Sequence, residues 1–179
     1  AIKEFAEKAS IGGGKIHLGA TSMDISDNAE TIRIKEALDV VEKRLVALLL
    51  ALSSKVKKYA DISCMGYTHL QPAEPTTLGY RFAFYAQDLL MDLELLRFVK
   101  KNLKSKGMKG AVGTSASFVK LLDEERTEEM ETGVLQGLGI EAFEITSQTA
   151  PRKIEIWVAN LLSSIAQSLN KFAFDLRIM

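Results

Sequence analysis

Apolar residues recur at helical spacing along most of the chain, and three long stretches carry this pattern. They run from Asn28 to about Asp61, from Leu78 to about Ser105, and from about Arg152 to the end. Apolar positions that repeat every three to four residues are typical of helices with one buried face. No stretch shows a strand pattern that outweighs the helical one. The pattern therefore predicts an all-α fold, a bundle of long helices joined by polar loops.

The first long stretch has an unusual centre, because every residue from Leu45 to Leu52 is apolar. A helix that is apolar on all sides has to be enclosed by other helices. A single chain of 179 residues offers few helices for that enclosure. We therefore predict a homo-oligomer, in which further copies of the chain complete a multi-helix core.

Shorter segments lie before and between the long helices. Ala1 to Ala9 has the pattern of the end of an amphipathic helix, which the three glycines beginning at Gly12 terminate. Ser115 or Ser117 is expected to begin a short helix, and the acidic segment from Asp123 is expected to be a solvated helix. These segments add only short helices and loops to the predicted bundle.

Three polar loops contain the side chains best suited to bind an anion. Hydroxyl, amide and loop N–H groups are suitable donors to a carboxylate or a phosphate. The candidates are Thr21 and Ser22 with Asp24, Thr68 and His69 with Gln71, and Thr114–Ser115 or Ser147–Gln148. In the first loop, Asp24, Ser26 and Asp27 are also candidate N-caps for the helix that follows. Taken alone, these residues fit helix caps as well as a binding site.

The loop from Gly66 to Arg81, with the sequence GYTHLQPAEPTTLGYR, is the most distinctive of the chain. It holds two of the three prolines and one of the two histidines. Each proline pushes the preceding residue out of the helical region, so Tyr67 to Pro75 is predicted to be largely extended. Thr76 or Thr77 is expected to cap the next helix. His69 is the one candidate in this loop for proton transfer near neutral pH, although a lone loop histidine is more often structural.

Composition narrows the class of partner and the compartment. Lysine plus arginine and aspartate plus glutamate both number 23, so the formal net charge is zero. Nucleic acids and anionic membranes attract basic surfaces, so neither is expected as a partner. Cys64 is the single cysteine, which excludes an internal disulfide and favours a reducing compartment such as the cytoplasm.

Neither a metal nor a cofactor is expected from the motifs. The two histidines and the one cysteine do not have the spacing of a metal site. No glycine-rich dinucleotide fingerprint follows a strand, and no P-loop motif is present. The chemistry of the candidate loops is therefore expected to depend on amino-acid side chains alone.

Four segments of the chain share their order and approximate spacing with the signature regions of a known family. They are HLGATS, GYTHLQPAEPTTLGYR, KGAVGTSASF and ITSQTAPRK. Together they resemble the fumarase/aspartase superfamily, and most closely its members that cleave adenylosuccinate. The resemblance covers essentially all 179 residues and implies one central helical domain, residues 1–179. It also implies that the chain is truncated at both ends. The family's His-Asp motif would precede Ala1, and its SSxMPxKxNP loop with the serine base would follow Met179.

The resemblance implies a β-elimination that needs no cofactor. Fumarate would leave adenylosuccinate to give AMP, and the succinylated carboxamide ribotide of purine biosynthesis would be cleaved in the same way. His69 would be the general acid that protonates the departing nitrogen. The implied substrate-binding residues are Thr21 and Ser22, which hold the fumarate carboxylate, with Thr68, Gln71 and Gln148 as further contacts. The family builds each site from three subunits of a tetramer, so the implied partners are a succinyl nucleotide and further copies of the chain.

Two alternatives remain at the level of sequence. The first is another lyase of the superfamily, such as the argininosuccinate enzyme, although the Arg-Ser-Arg-Asn-Asp-Gln character of its first motif is absent here. The second is a noncatalytic helical oligomerisation module, in which the polar loops are turns. The 179 residues by themselves are expected to be inactive, because the resemblance implies a base on a loop outside them.

Overall fold

The computed structural model describes residues 2–9 and 11–178, which form six α-helices and one antiparallel hairpin. The elements in chain order are α1 (Ile2–Lys8), α2 (Ser22–Lys58), β1 (Ser63–Thr68), β2 (Gln71–Thr77), α3 (Leu78–Lys101), α4 (Ala116–Leu122), α5 (Glu124–Leu138) and α6 (Lys153–Ile178). A short 3₁₀ helix, Gly13–Lys15, precedes α2. The predicted all-α class is confirmed, and the three long helices overlap the predicted stretches, although α2 begins at Ser22 instead of Asn28 and α3 ends at Lys101 instead of about Ser105. Ala1, the first residue of the predicted N-terminal helix, lies outside the described residues.

The expectation that no segment forms a strand was wrong for the central loop. Ser63 pairs with Thr77, and the antiparallel register continues to Thr68 opposite Gln71, with an irregularity between Met65 and Tyr67. The predicted extended backbone is present on both sides of the turn. The pairing itself was missed, because the turn that joins the strands lacks the Asn-Gly or Asp-Gly sequence that signals a two-residue hairpin.

The predicted N-caps of α2 were also wrong, whereas that of α3 was right. Helix α2 begins at Ser22, so Asp24, Ser26 and Asp27 lie inside it. The two aspartates are buried and bind groups elsewhere in the fold, which the helical pattern alone does not reveal. At the start of α3, the hydroxyl of Thr77 accepts a hydrogen bond from the Tyr80 N–H at 3.1 Å, as expected of an N-cap.

The two later short helices begin at the predicted positions, α4 after Ser115 and α5 after Asp123. Ser115 precedes α4, which ends at Leu122. Helix α5 ends at Leu138 and is followed by its C-cap Gly139, whose φ of 64° is the left-handed conformation typical of that position. Lys35 Nζ donates to the Gly139 carbonyl oxygen at 2.7 Å. A cation at this position satisfies a carbonyl at the negative end of the helix dipole.

The chain comprises two compact units. The first unit contains residues 1–35 and 103–154, and the second contains residues 36–102 and 155–179. In the second unit, the buried core consists of residues from α2, α3 and α6, namely Leu38, Leu45, Leu52, Tyr85, Leu89, Leu93, Leu96, Val99 and Leu161. Glu42 of α2 accepts hydrogen bonds from Arg97 at 3.0 Å and Lys100 at 2.5 Å, both on α3. The second unit is therefore a packed bundle of long helices.

Large apolar side chains also lie on the surface of the second unit. Leu50 is 68 % exposed, Met91 is 61 % exposed and Phe174 is 53 % exposed. They belong to α2, α3 and α6, the helices that form the core. None of the helices in the described part of the chain is long and apolar enough to span a bilayer.

Candidate functional site

His69 lies at the tip of the β1–β2 hairpin, in a two-residue turn with Leu70. The register pairs Thr68 with Gln71, so His69 and Leu70 are the two central residues of the turn. Their φ angles are 50° and 60°, and two positive values are the property of a type I′ turn. A leucine in the left-handed region costs of order 1 kcal/mol or more. The hairpin thus places the candidate acid on a strained backbone, a feature that clusters at functional sites.

The hairpin tip opens onto a groove of about 1100 Å³ in the second unit. Thr68 and His69 form part of one wall, while Arg81 and Tyr85 of α3 and Asp175 of α6 contribute the others. The structure therefore brings two of the predicted site residues to one concave surface, together with a guanidinium, a phenol and a carboxylate. Such a mixture of apolar walls and a few polar groups is typical of a small-molecule site.

Two contacts fix the polar groups of this groove. The Arg81 guanidinium donates to the Met65 carbonyl oxygen at 3.1 Å and so connects β1 to α3. The Tyr85 hydroxyl donates to Asp175 Oδ2 at 2.9 Å. The first contact fixes the hairpin against α3, and the second fixes the Tyr85 phenol against α6.

Burial and neighbouring charges shift the pKa values of Tyr85 and Asp175 in the groove. Burial, reinforced by the bond to Asp175, raises the pKa of Tyr85 to about 12. The hydrogen bond from Lys171 lowers the pKa of the Asp175 carboxyl. At neutral pH Tyr85 is consequently a hydroxyl donor and Asp175 an anion. Sequence reasoning missed Tyr85 and Asp175, because they lie on long helices without any motif that marks chemistry. It also missed Arg81, which lies on α3 as well, at the end of the segment Gly66–Arg81.

Gln71 has a different position from its neighbours. It pairs with Thr68 across the hairpin and is exposed, but it does not line the groove. Thr68, His69 and Gln71 thus share one hairpin end, and two of the three border the groove.

Thr21 and Ser22 lie at the start of α2 in the first unit. Thr21 is half-buried and immediately precedes the helix, whereas Ser22 is its exposed first residue. The Thr21 N–H donates to Asp24 Oδ2 at 2.9 Å, one turn ahead. The positive end of a helix dipole favours a bound anion, so this position suits a carboxylate or phosphate.

A buried ion pair connects the loop that follows α3 to the start of α2. Lys106 Nζ donates to Asp24 Oδ1, and both side chains are fully buried. Asp24 also accepts hydrogen bonds from the N–H groups of Lys109 and Gly110, each at 3.2 Å. Sequence reasoning did not single out Lys106, since a lysine in a glycine-rich loop usually indicates a solvated side chain.

Gln148 is exposed in the loop between α5 and α6, also in the first unit. Asp27 Oδ2 accepts from the Ala150 N–H at 2.7 Å, and Asp27 Oδ1 accepts from Arg152 Nη2 at 3.1 Å. The backbone at Gly113 lies against the carbonyl groups of Thr146 and Ser147. The first and third polar loops are therefore joined in one unit, where Thr21, Ser22 and Gln148 belong, while Thr68, His69 and Gln71 belong to the second.

Comparison with known proteins places these features in a family context. A family described as "Lyase" matches residues 2–179. Adenylosuccinate lyase of Saccharomyces cerevisiae is 37 % identical over 181 residues, which is 99 % of this chain and 38 % of the yeast protein. Adenylosuccinate lyase of Pyrococcus abyssi is 37 % identical over 176 residues, with 98 % of this chain and 38 % of that protein covered. The chain thus spans less than two fifths of the length of these relatives.

Solved structures give the same result at the level of the fold. A fumarate lyase from Mesorhizobium sp. BNC1 superposes with a TM-score of 0.89 at 26 % identity, covering 99 % of this chain and 41 % of that one. The 3-carboxy-cis,cis-muconate lactonizing enzyme from Pseudomonas putida has a TM-score of 0.83 at 26 % identity, covering 97 % and 39 % of the two chains.

Proposed function

The chain belongs to the lyase family within the fumarase/aspartase superfamily, and from that premise we propose that the protein containing it cleaves adenylosuccinate to AMP and fumarate. The observation that carries the proposal is the strained turn that holds His69 beside an open groove, in a chain whose relatives bear the name adenylosuccinate lyase. The succinylated carboxamide ribotide of purine biosynthesis presents the same C–N bond and is the second proposed substrate.

The reaction requires a base, an anion site and an acid. A base removes the proton beside a succinyl carboxylate, and the negative charge spreads into that carboxylate as an aci-carboxylate. The electrons then form the double bond of fumarate while the C–N bond breaks. We assign to His69 the proton that the departing nitrogen needs. The family resemblance assigns the base to a serine on an SSxMPxKxNP loop, which this chain does not contain.

The carboxylates are assigned to the helix start in the first unit. The Thr21 and Ser22 hydroxyls, at the positive end of α2, provide hydrogen-bond donors to a fumarate carboxylate. Gln148 offers an exposed amide on a loop fixed to the same helix through Asp27. Thr68 and Gln71 are assigned substrate contacts at the hairpin end.

The proposed assembly is a cytoplasmic homotetramer with active sites shared between subunits. Its physical support is the exposed apolar surface of the second unit, which includes Leu50, Met91 and Phe174. Burial in an oligomer would remove that surface from water, a favourable change of about 25 cal/mol per Å². The residues assigned to one reaction also belong to both compact units of the chain.

The test is an assay of fumarate release by the purified full-length protein with adenylosuccinate, argininosuccinate, aspartate and malate. Rapid release from adenylosuccinate alone supports the proposal. Release from argininosuccinate alone would replace it with the argininosuccinate reaction. Release from none of the four, in a protein that sediments as a stable oligomer, would favour a noncatalytic oligomerisation module.

A further inference from the structure

We propose that Asp24 is a positioning residue, which holds the start of α2 and the Lys106–Gly110 loop in the arrangement that binds the substrate anion. This inference rests on the proposed function. Asp24 does not touch the substrate in this assignment. It acts through the backbone of Thr21 and through the loop that follows α3.

The carboxylate of Asp24 is saturated by donors from two distant segments. Oδ2 accepts from the Thr21 N–H at 2.9 Å and from the Gly110 N–H at 3.2 Å. Oδ1 accepts from Lys106 Nζ and from the Lys109 and Gly110 N–H groups, the last two at 3.2 Å. One side chain therefore determines the distance between the backbone at residue 21 and the backbone at residue 110.

Burial makes this link rigid. Asp24 is 1 % exposed and Lys106 is not exposed at all, so water does not compete for their hydrogen bonds. Lys106 Nζ also donates to the Gly110 carbonyl oxygen at 3.0 Å, which closes the loop around the ion pair. A buried ion pair is often no more stabilising than apolar side chains of the same volume. Its benefit here is the definite geometry that it imposes on the two backbones.

The link also determines which donors Thr21 offers. Its N–H is engaged by Asp24, so the Thr21 hydroxyl is the group left to contribute to the substrate carboxylate. Asn28 reinforces the arrangement, because its side chain donates to the Gly107 carbonyl at 3.2 Å and accepts from the Gly107 N–H at 3.0 Å. Functional groups held by such second contacts keep the precise geometry that binding requires.

The experiment compares Asp24→Asn with Glu30→Gln in the full-length protein. Both changes convert a carboxylate to an amide on α2, but Glu30 is exposed, with its ion pair to Arg33 on the surface. Asp24→Asn is expected to raise the KM for adenylosuccinate about tenfold, the effect of weakening a charge-assisted hydrogen-bond network, with a smaller change in kcat. Glu30→Gln is expected to leave both constants unchanged.

A second variant separates positioning from simple destabilisation. Asp24→Asn leaves Lys106 buried without its counter-charge, so the double variant Asp24→Asn with Lys106→Met removes that charge and is expected to recover the thermal midpoint. A positioning role predicts that KM stays raised in the recovered double variant. A double variant that recovers both the midpoint and KM would overturn the inference, as would an unchanged KM in Asp24→Asn. A parent protein without adenylosuccinate cleavage would instead overturn the proposed function.

Discussion

A side chain at Gly113 would overlap the carbonyl oxygen of Thr146, because the two loop backbones touch at that point. The φ of Gly113 is 83°, a region that also disfavours any residue with a Cβ. The contact joins the loop after α3 to the loop before α6, and both carry candidate binding residues. The close contact between these two loops of the first unit therefore requires a glycine at position 113.

Gly113→Ala is expected to lower the free energy of unfolding by about 2 kcal/mol or more, since either the backbone or the neighbouring loop has to shift. Chemical denaturation of the purified parent protein and variant measures this change in the free energy of unfolding. The matched control is Gly133→Ala, within α5, where an added Cβ meets nothing within 4 Å. That change is expected to stabilise by about 0.5–1 kcal/mol, because alanine favours the helix. Equal effects of the two substitutions would contradict the assigned role of Gly113.

Leu70→Gly is expected to increase stability by about 1 kcal/mol. Glycine adopts the positive φ of the second turn position without the steric cost that leucine incurs. Leu70→Ala serves as the control, because it removes the same exposed apolar surface while keeping a Cβ. Thermal unfolding measures the midpoint of each variant. An equal rise in the midpoints of both variants would show that the gain comes from lost apolar exposure and not from relief of turn strain.

His69→Gln in the full-length protein is expected to lower kcat for adenylosuccinate by about a hundredfold or more, the usual contribution of a general acid. His17→Gln is the matched control, because His17 is the other histidine of the chain and is exposed in the loop before α2. Unchanged turnover in His69→Gln would remove His69 from the acid role. Equal losses in both variants would point to a general effect of histidine replacement.

Stability at alkaline pH is expected to depend on Tyr85. Its pKa is raised from the ordinary value of 10.0 to about 12 in the folded protein, so the folded state binds its proton more tightly than the unfolded state does. The stabilisation is fully present below pH 10 and is lost as pH rises towards 12. Urea denaturation between pH 9 and pH 11 should show that the free energy of unfolding falls more steeply with pH in the parent protein than in Tyr85→Phe. Parallel curves would contradict the assignment.

Asp92→Ala is expected to destabilise the second unit by about 2 kcal/mol or more. The buried Asp92 carboxylate accepts from Ser164 Oγ at 2.6 Å and from Ser168 Oγ at 2.7 Å, so its removal leaves two hydroxyls of α6 without an acceptor. Asp88→Ala, one turn earlier on α3 and less buried, is the control. A loss of similar size in the control would indicate a change in helix propensity as the cause.

The helices could be predicted from the sequence because their signals are local. Apolar spacing determines the buried face, Thr77 caps α3 and Asp123 caps α5. The hairpin could not be predicted in the same way, since the conformation at His69 and Leu70 is not one that these residue types favour. Tertiary contacts outweigh local preference at these two residues.

The candidate site was likewise predictable in its local features and not in its tertiary contacts. Its loops were identifiable from their hydroxyl, amide and histidine side chains. The partners that hold those loops were not, because Asp24 and Asp27 have the sequence signature of helix caps and serve instead as acceptors for segments more than 80 residues away. Lys106 is likewise buried by an ion pair that only the folded chain brings together.

The hairpin that carries His69 has one more consequence, for the solubility of the chain. A two-stranded sheet has two edges, and an unpaired edge is a template on which other chains can add strands and aggregate. Pro72 and Pro75 lie within β2 and have no N–H to donate, so the row of donors along that strand is interrupted. The prolines that keep this segment extended therefore also protect the exposed edge of β2 from edge-to-edge association with other chains.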